Sequence, residues 1–221
     1  NVATSDEKSQ RHFPTFLEIR DDMQEEVTRF WIHLLQHKKS PLELIASDVT
    51  FVNGSLAQHY GFAQQYGIDE QNPEWHLIKN LGEKGRGGIL GFAASLTQQS
   101  GASRTSPILR GHWISETLLG EKLPKPPKDV PVLPETPPEG LTERELIERH
   151  SSDPNCSRCH ERIDPYGFAL ESFDAIGRFR ENQVTDATLP DGTKISGLVD
   201  LQRYLITKRR DDFLRQFSRK L

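Results

Sequence analysis

No apolar run in this sequence reaches the length of a membrane span. The longest, GGILGFAASL, is about half of the roughly 20 residues that a bilayer-crossing helix needs, and glycines interrupt it. Positive charge is not in excess either: the formal net charge is -4 and the pI lies near 6.1, so no basic field draws in nucleic acid or an anionic membrane. Methionine occurs once, as Met23, and both cysteines fall within one five-residue stretch, CSRCH, from Cys156 to His160. What remains is ordinary: 34% hydrophobic and 27% charged residues in 221 describe a folded, soluble chain long enough for one large domain or two small ones.

The pattern of apolar residues is mainly helical. Phe16, Ile19, Met23, Val27, Phe30, Trp31, Leu34 and Leu35 recur at helical spacing and predict one long amphipathic helix that stops near Lys39. Ser40-Pro41-Leu42-Glu43 carries a cap, a first-turn proline and a capping-box glutamate, predicting a short second helix. Further helices are expected over TFVNGSLAQHYG, ending at Gly61 with His59 in its last turn, and over RGGILGFAASLTQQS and ILRGHWISETLLG. Seven of the fifteen residues from Pro124 to Pro138 are proline, which favours extended chain, either a linker or a strap. Residues 1–123 thus read as a helical region, 124–140 as the Pro-rich stretch and 141–221 as a further region that carries CSRCH. In the last of these, Thr142 and Glu145 form a capping box, Asp153-Pro154 starts a helix, and FALESFDAI, LVDLQRYLI and DDFLRQFSRKL read as helices. TDATLPDGTKISG reads as a small β-hairpin turning at Asp191-Gly192.

CSRCH admits four chemistries: a disulfide, half a zinc site, a redox dithiol, or a haem anchor. Cys156 and Cys159 lie three apart on a predicted helix and His160 follows directly, which suits two thioether bonds to haem vinyls and an axial imidazole. A zinc site needs a second pair of ligands, and no cysteine or histidine follows His160. A thioredoxin-like pair belongs at the end of a strand, whereas the surrounding pattern is helical, and a plain disulfide has no use for His160. One covalently attached haem c is therefore expected on Cys156, Cys159 and His160, which makes 141–221 a cytochrome c-like, haem-binding region. Bacteria attach haem c outside the cytoplasm, which implies a periplasmic, secreted or cell-surface protein; the opening NVATSDEKSQ, without initiator methionine or leader, fits a processed product or an excised piece.

The sixth iron ligand decides between electron transfer and small-molecule chemistry. Residues 161–221 contain neither Met nor His, so the candidates are Met23, His59, His112 and His150, each of which also has an ordinary structural use as core filler, helix cap or surface residue. Without such a ligand, a peroxidase-type enzyme with an open iron becomes the alternative, with Arg104 or Arg110 supplying distal charge. A third reading makes the haem structural in a binding or scaffold module. Phe168 and Phe173 are expected to pack on the haem, and Arg178 and Arg180 to face its propionates.

Three stretches carry a resemblance: SPLELIASDVTFVNGSLAQHYGF, RGGILGFAASLTQQSGASRTSPILRGHWISETLLGEKLPKPPKDVPVL and DPNCSRCHERIDPYGFALESFDAIGRFR. In this order they resemble successive domains of the planctomycete-type multidomain c-type cytochrome proteins, domains of unknown function with a C-terminal CxxCH haem motif. The resemblance implies a mainly α haem protein, exported, forming a fragment of a larger protein. Its matching methionine and H-Y-G positions make Met23 and His59 the leading distal candidates. The expected function is a mono-haem electron-transfer module serving a redox partner or other domains of the parent protein.

Overall fold

The computed structural model describes residues 2–4, 8–124, 133, 134 and 139–221; most of the Pro-rich stretch therefore lies outside the described residues. The long amphipathic helix is α1, Phe16–Gln36, which buries Phe16, Ile19, Met23, Phe30 and Leu34 along one face. The short helix after Ser40-Pro41 is α2, Glu43–Ala46, although the Ser40 hydroxyl accepts from Leu42 N instead of closing a capping box.

Four sequence expectations for helices need correction. The helix read over TFVNGSLAQHYG is a strand followed by a helix: β1, Val49–Val52, and α3, Gly54–Tyr60. Asn53 separates them, its side chain accepting from Leu56 N as an N-cap, and Gly61 closes α3 at φ 74°. The strand forms because its β-branched and aromatic residues find a partner: after α4, Ala63–Tyr66, strand β2, His76–Lys79, pairs with it antiparallel, with Thr50 opposite Ile78. RGGILGFAASLTQQS forms two short helices, α5 Gly88–Gly91 and α6 Ala93–Gln98, broken at Phe92, whose backbone is extended. ILRGHWISETLLG begins as α7, Pro107–His112, capped by Ser106, then widens into a π-helical turn, Trp113–Leu118. FALESFDAI is not a helix beyond Phe168: it runs as turns whose carbonyls bond to arginine side chains from elsewhere in the chain.

The C-terminal expectations hold more closely. Thr142 and Glu145 close both halves of a capping box on α8, Glu143–Ser151. Next come α9, Pro154–Phe168, the hairpin of β3, Asp186–Thr188, and β4, Lys194–Ser196, and then α10, Gly197–Lys208, and α11, Arg210–Lys220. The structure is 54% helical with two small antiparallel ladders among the described residues, one more than the sequence predicts.

Two apolar cores hold these elements. The larger joins Phe30 and Leu34 of α1, Leu90, Phe92 and Leu96, Ile147 of α8, Tyr166 and Phe168 of α9, and the C-terminal Leu201, Leu205 and Phe213, so the residues flanking the Pro-rich stretch share one core. The smaller gathers Phe16, Ile19 and Met23 against Val52, Leu56, Tyr60, Phe62 and Ile176.

Between them sits a buried polar knot. Glu26 of α1 accepts from Thr50 Oγ1 at 2.5 Å and from Tyr60 Oη at 2.6 Å, and Tyr60 Oη accepts from Ala93 N at 2.9 Å. The Arg86 guanidinium lies between the Tyr60 and Phe173 rings, 4.0 and 4.7 Å from their centroids, and donates to the Gly91 and Gly177 carbonyls. Burial pushes the Glu26 carboxyl up to about 7, against the opposing pull of its two hydroxyl donors. The folded chain thus holds this proton more tightly than the unfolded one, so the associated stability is fully present below pH 4.5 and is lost as the pH rises to about 7. The span corresponds to about 3 kcal/mol at most. Urea unfolding at steps between pH 4.5 and 8 should show this decline in the wild type and a flatter profile in Glu26→Gln; parallel profiles would refute it.

Candidate functional site

The CSRCH stretch occupies the first two turns of α9. Pro154 opens the helix, and the Asp153 carbonyl accepts from Cys156 N and Ser157 N, both at 2.9 Å. Both cysteines are free thiols of intermediate burial. Because positions i, i+3 and i+4 neighbour one another on a helix, the two thiols and the imidazole occupy one stretch of its surface.

His160 is held by the helix itself. One turn on, Asp164 receives its Nδ1, which lies 2.9 Å from Oδ2 and 3.0 Å from Oδ1, and the two side chains are only 12% and 7% exposed. Burial raises the Asp164 carboxyl, and the bond from His160 opposes that rise. A second imidazole stands close by: His150, at the end of α8, meets His160 edge to face with ring centroids 5.3 Å apart. A cleft of about 540 Å³ opens beside His160, lined among others by Ser152, Ser157, Asp164, Pro165 and Phe168. Cys156 and Cys159 are not among the residues that line it.

Two glycines set the position of α9. Gly111 of α7 packs so closely that a Cβ there would lie 1.9 Å from the Ile163 carbonyl oxygen, and a Cβ on Gly167 would lie 1.9 Å from that of Pro107. The backbones of α7 and α9 thus touch at both ends of their crossing.

Of the residues expected at the site, Cys156, Cys159 and His160 share the first two turns of α9, and His160 and Phe168 line one cleft. The structure places Met23 in the smaller core, its Sδ 3.9 Å from Thr97 Oγ1, among residues that include none from α9. His59 is likewise elsewhere: its Nε2 bonds the Ile176 carbonyl at 2.8 Å, and burial lowers its pKa to about 4. Arg178 is committed to Asp174 at 2.7 Å and lies over Phe13, Arg180 bonds Glu171, and His112 pairs with Glu116. Sequence reasoning missed Asp164, although its i+4 spacing from His160 was a readable signal. His150, one of the four distal candidates, is set beside His160.

Residues 86–183 match the family model described as a protein of unknown function, DUF1588, and residues 1–62 match one described as a protein of unknown function, DUF1592. These are domains of unknown function typical of planctomycete cytochrome-like multidomain proteins, and Cys156, Cys159 and His160 fall within the first match. No curated protein and no solved structure matches the chain. No helix among the described residues is long and apolar enough to cross a membrane.

Proposed function

We propose that this chain is a mono-haem c-type cytochrome module for electron transfer, working outside the cytoplasm with other domains of a parent protein or with a redox partner. The observation that carries the reading is the C-x-x-C-H stretch on a proline-started helix, with His160 Nδ1 engaged by Asp164 so that Nε2 keeps its lone pair. The donor set fits haem c: two free thiols for the vinyl groups, one imidazole for the iron, and Phe168 as apolar surface beside it. When bound, the haem supplies one-electron chemistry at iron; the chain attaches, orients and shields it.

The test is export of the chain through a bacterial periplasm with the haem-attachment machinery present. One haem per chain should survive denaturing electrophoresis, and the Cys156→Ala/Cys159→Ala double variant should lose it. A wild-type chain that folds but carries no covalent haem would sink the reading.

A second reading, a peroxidase-type enzyme, is favoured by one observation. Met23 and His59, the expected distal ligands, are engaged elsewhere in the fold, while a carboxylate backs His160. Rapid carbon monoxide binding by the ferrous holoprotein would select the enzyme, and a low-spin spectrum indifferent to carbon monoxide would select the carrier.

A further inference from the structure

The contact between His160 and Asp164 has the geometry of a tuned ligand. A histidine that binds a metal through one ring nitrogen ordinarily donates its other N–H to a carbonyl, a carboxylate or water, and that partner fixes the tautomer and raises the basicity of the ligating nitrogen. In this chain the partner is a full carboxylate, nearly buried, one helical turn from the histidine, with both oxygens within 3.0 Å of Nδ1. Asp164 has no cation of its own among its described hydrogen bonds and ion pairs; His160 is its partner in both. Several factors keep this pair in place. Both residues lie on one helix, and α9 is pinned against α7 at Gly111 and Gly167.

We propose that Asp164 is a positioning residue for His160: it confines the imidazole proton to Nδ1, turns Nε2 outward as the metal-binding nitrogen, and lends the ring partial imidazolate character. This rests on the haem reading given above. A more electron-rich axial imidazole stabilises ferric over ferrous iron, so the carboxylate holds the reduction potential low. Second-sphere hydrogen bonding is one of the protein's few levers on a haem iron. The chain thus supplies a reducing, imidazolate-like ligand instead of the neutral one that a backbone carbonyl acceptor would leave.

Asp164→Asn keeps an acceptor for Nδ1–H but removes the charge. In potentiometric titration of the holoprotein, this variant should favour the ferrous state at least tenfold, an upward midpoint shift of about 59 mV or more for a one-electron couple. Asp164→Glu, which restores the charge on the same helix face, should return most of that shift. Haem content from the pyridine haemochrome spectrum separates the two levels of the argument, since a chain without covalent haem speaks against the cytochrome reading alone. In the haem-free wild type, ¹⁵N chemical shifts of the His160 ring should show a proton on Nδ1 and none on Nε2 near pH 8, a measurement that requires no variant to fold. A midpoint unchanged in His160-ligated Asp164→Asn, or an Nε2-protonated ring in the wild type, would overturn the proposal.

Discussion

Gly167→Ala is expected to destabilise the protein by about 3 kcal/mol or more, and Gly111→Ala by a similar amount. Extra methylenes in a packed core usually cost about 1–3 kcal/mol because neighbouring side chains can turn aside. Here nothing can turn aside. The new Cβ at 167 would sit 1.9 Å from the Pro107 carbonyl oxygen and 2.6 Å from its Cα, and the one at 111 would meet the Ile163 carbonyl. The two helices must separate, and α9 carries with it Tyr166, Phe168 and the CSRCH turns. Gly82→Ala is the matched control, since its Cβ would find only the Asp48 carboxylate at an ordinary 3.6 Å. Urea denaturation of the three variants measures the difference; equal stabilities for Gly82→Ala and Gly167→Ala would show that α7 and α9 yield easily.

That crossing explains why sequence reading placed the CSRCH motif but not its support. Cys156, Cys159 and His160 are legible because their spacing is local and chemical, as is the capping box at Thr142 and Glu145, where two side chains answer two backbone groups three residues apart. The long α1 is legible because its apolar period persists for six turns. FALESFDAI shows the opposite case. Phe168, Leu170, Phe173 and Ile176 all become buried, as a helix reading expects, yet the turns that bury them depend on Arg110, some sixty residues earlier in the chain. In the same way β1 becomes a strand because β2 pairs with it across two intervening helices, a partner that no window around Thr50 contains. Met23 and His59 illustrate a third limit. Their residue types suit iron, but their surroundings in the fold are Thr97 and the Ile176 carbonyl.

Arg110→Met is expected to destabilise the fold by about 3–5 kcal/mol, the range for removing one partner of a buried ion pair. Arg110 is 1% exposed, and its guanidinium donates to the carbonyls of Leu170, Phe173 and Asp174 at 2.8 to 3.0 Å, to Glu171 Oε1 at 3.1 Å and to Ser100 Oγ at 3.0 Å. Burial drags its pKa down to about 10, with Glu171 opposing the shift, so the cation remains charged at neutral pH. The three carbonyls it takes belong to the turns that follow α9, where Phe173 N and Gly177 N also donate to those of Leu170 and Asp174, and Arg180 Nη2 to that of Phe173. Methionine fills the space but removes the one charged donor that ties the three carbonyls to the Glu171 carboxylate, which keeps Thr105 and Arg180 as its donors among the described residues. Arg110→Lys should recover less than half of the loss, because one ammonium cannot reach five acceptors that a planar fork spans. If the charge pair carries the effect, Arg110→Met/Glu171→Gln will be more stable than the sum of the single variants predicts, by about 1 kcal/mol or more in a double-mutant cycle. If the backbone carbonyls carry it, the two losses will add, and amide exchange will speed up first at residues 169–180. The guanidinium makes more bonds to carbonyls than to the carboxylate, so additivity with local opening is the expected result; strong coupling would assign Arg110 chiefly to Glu171.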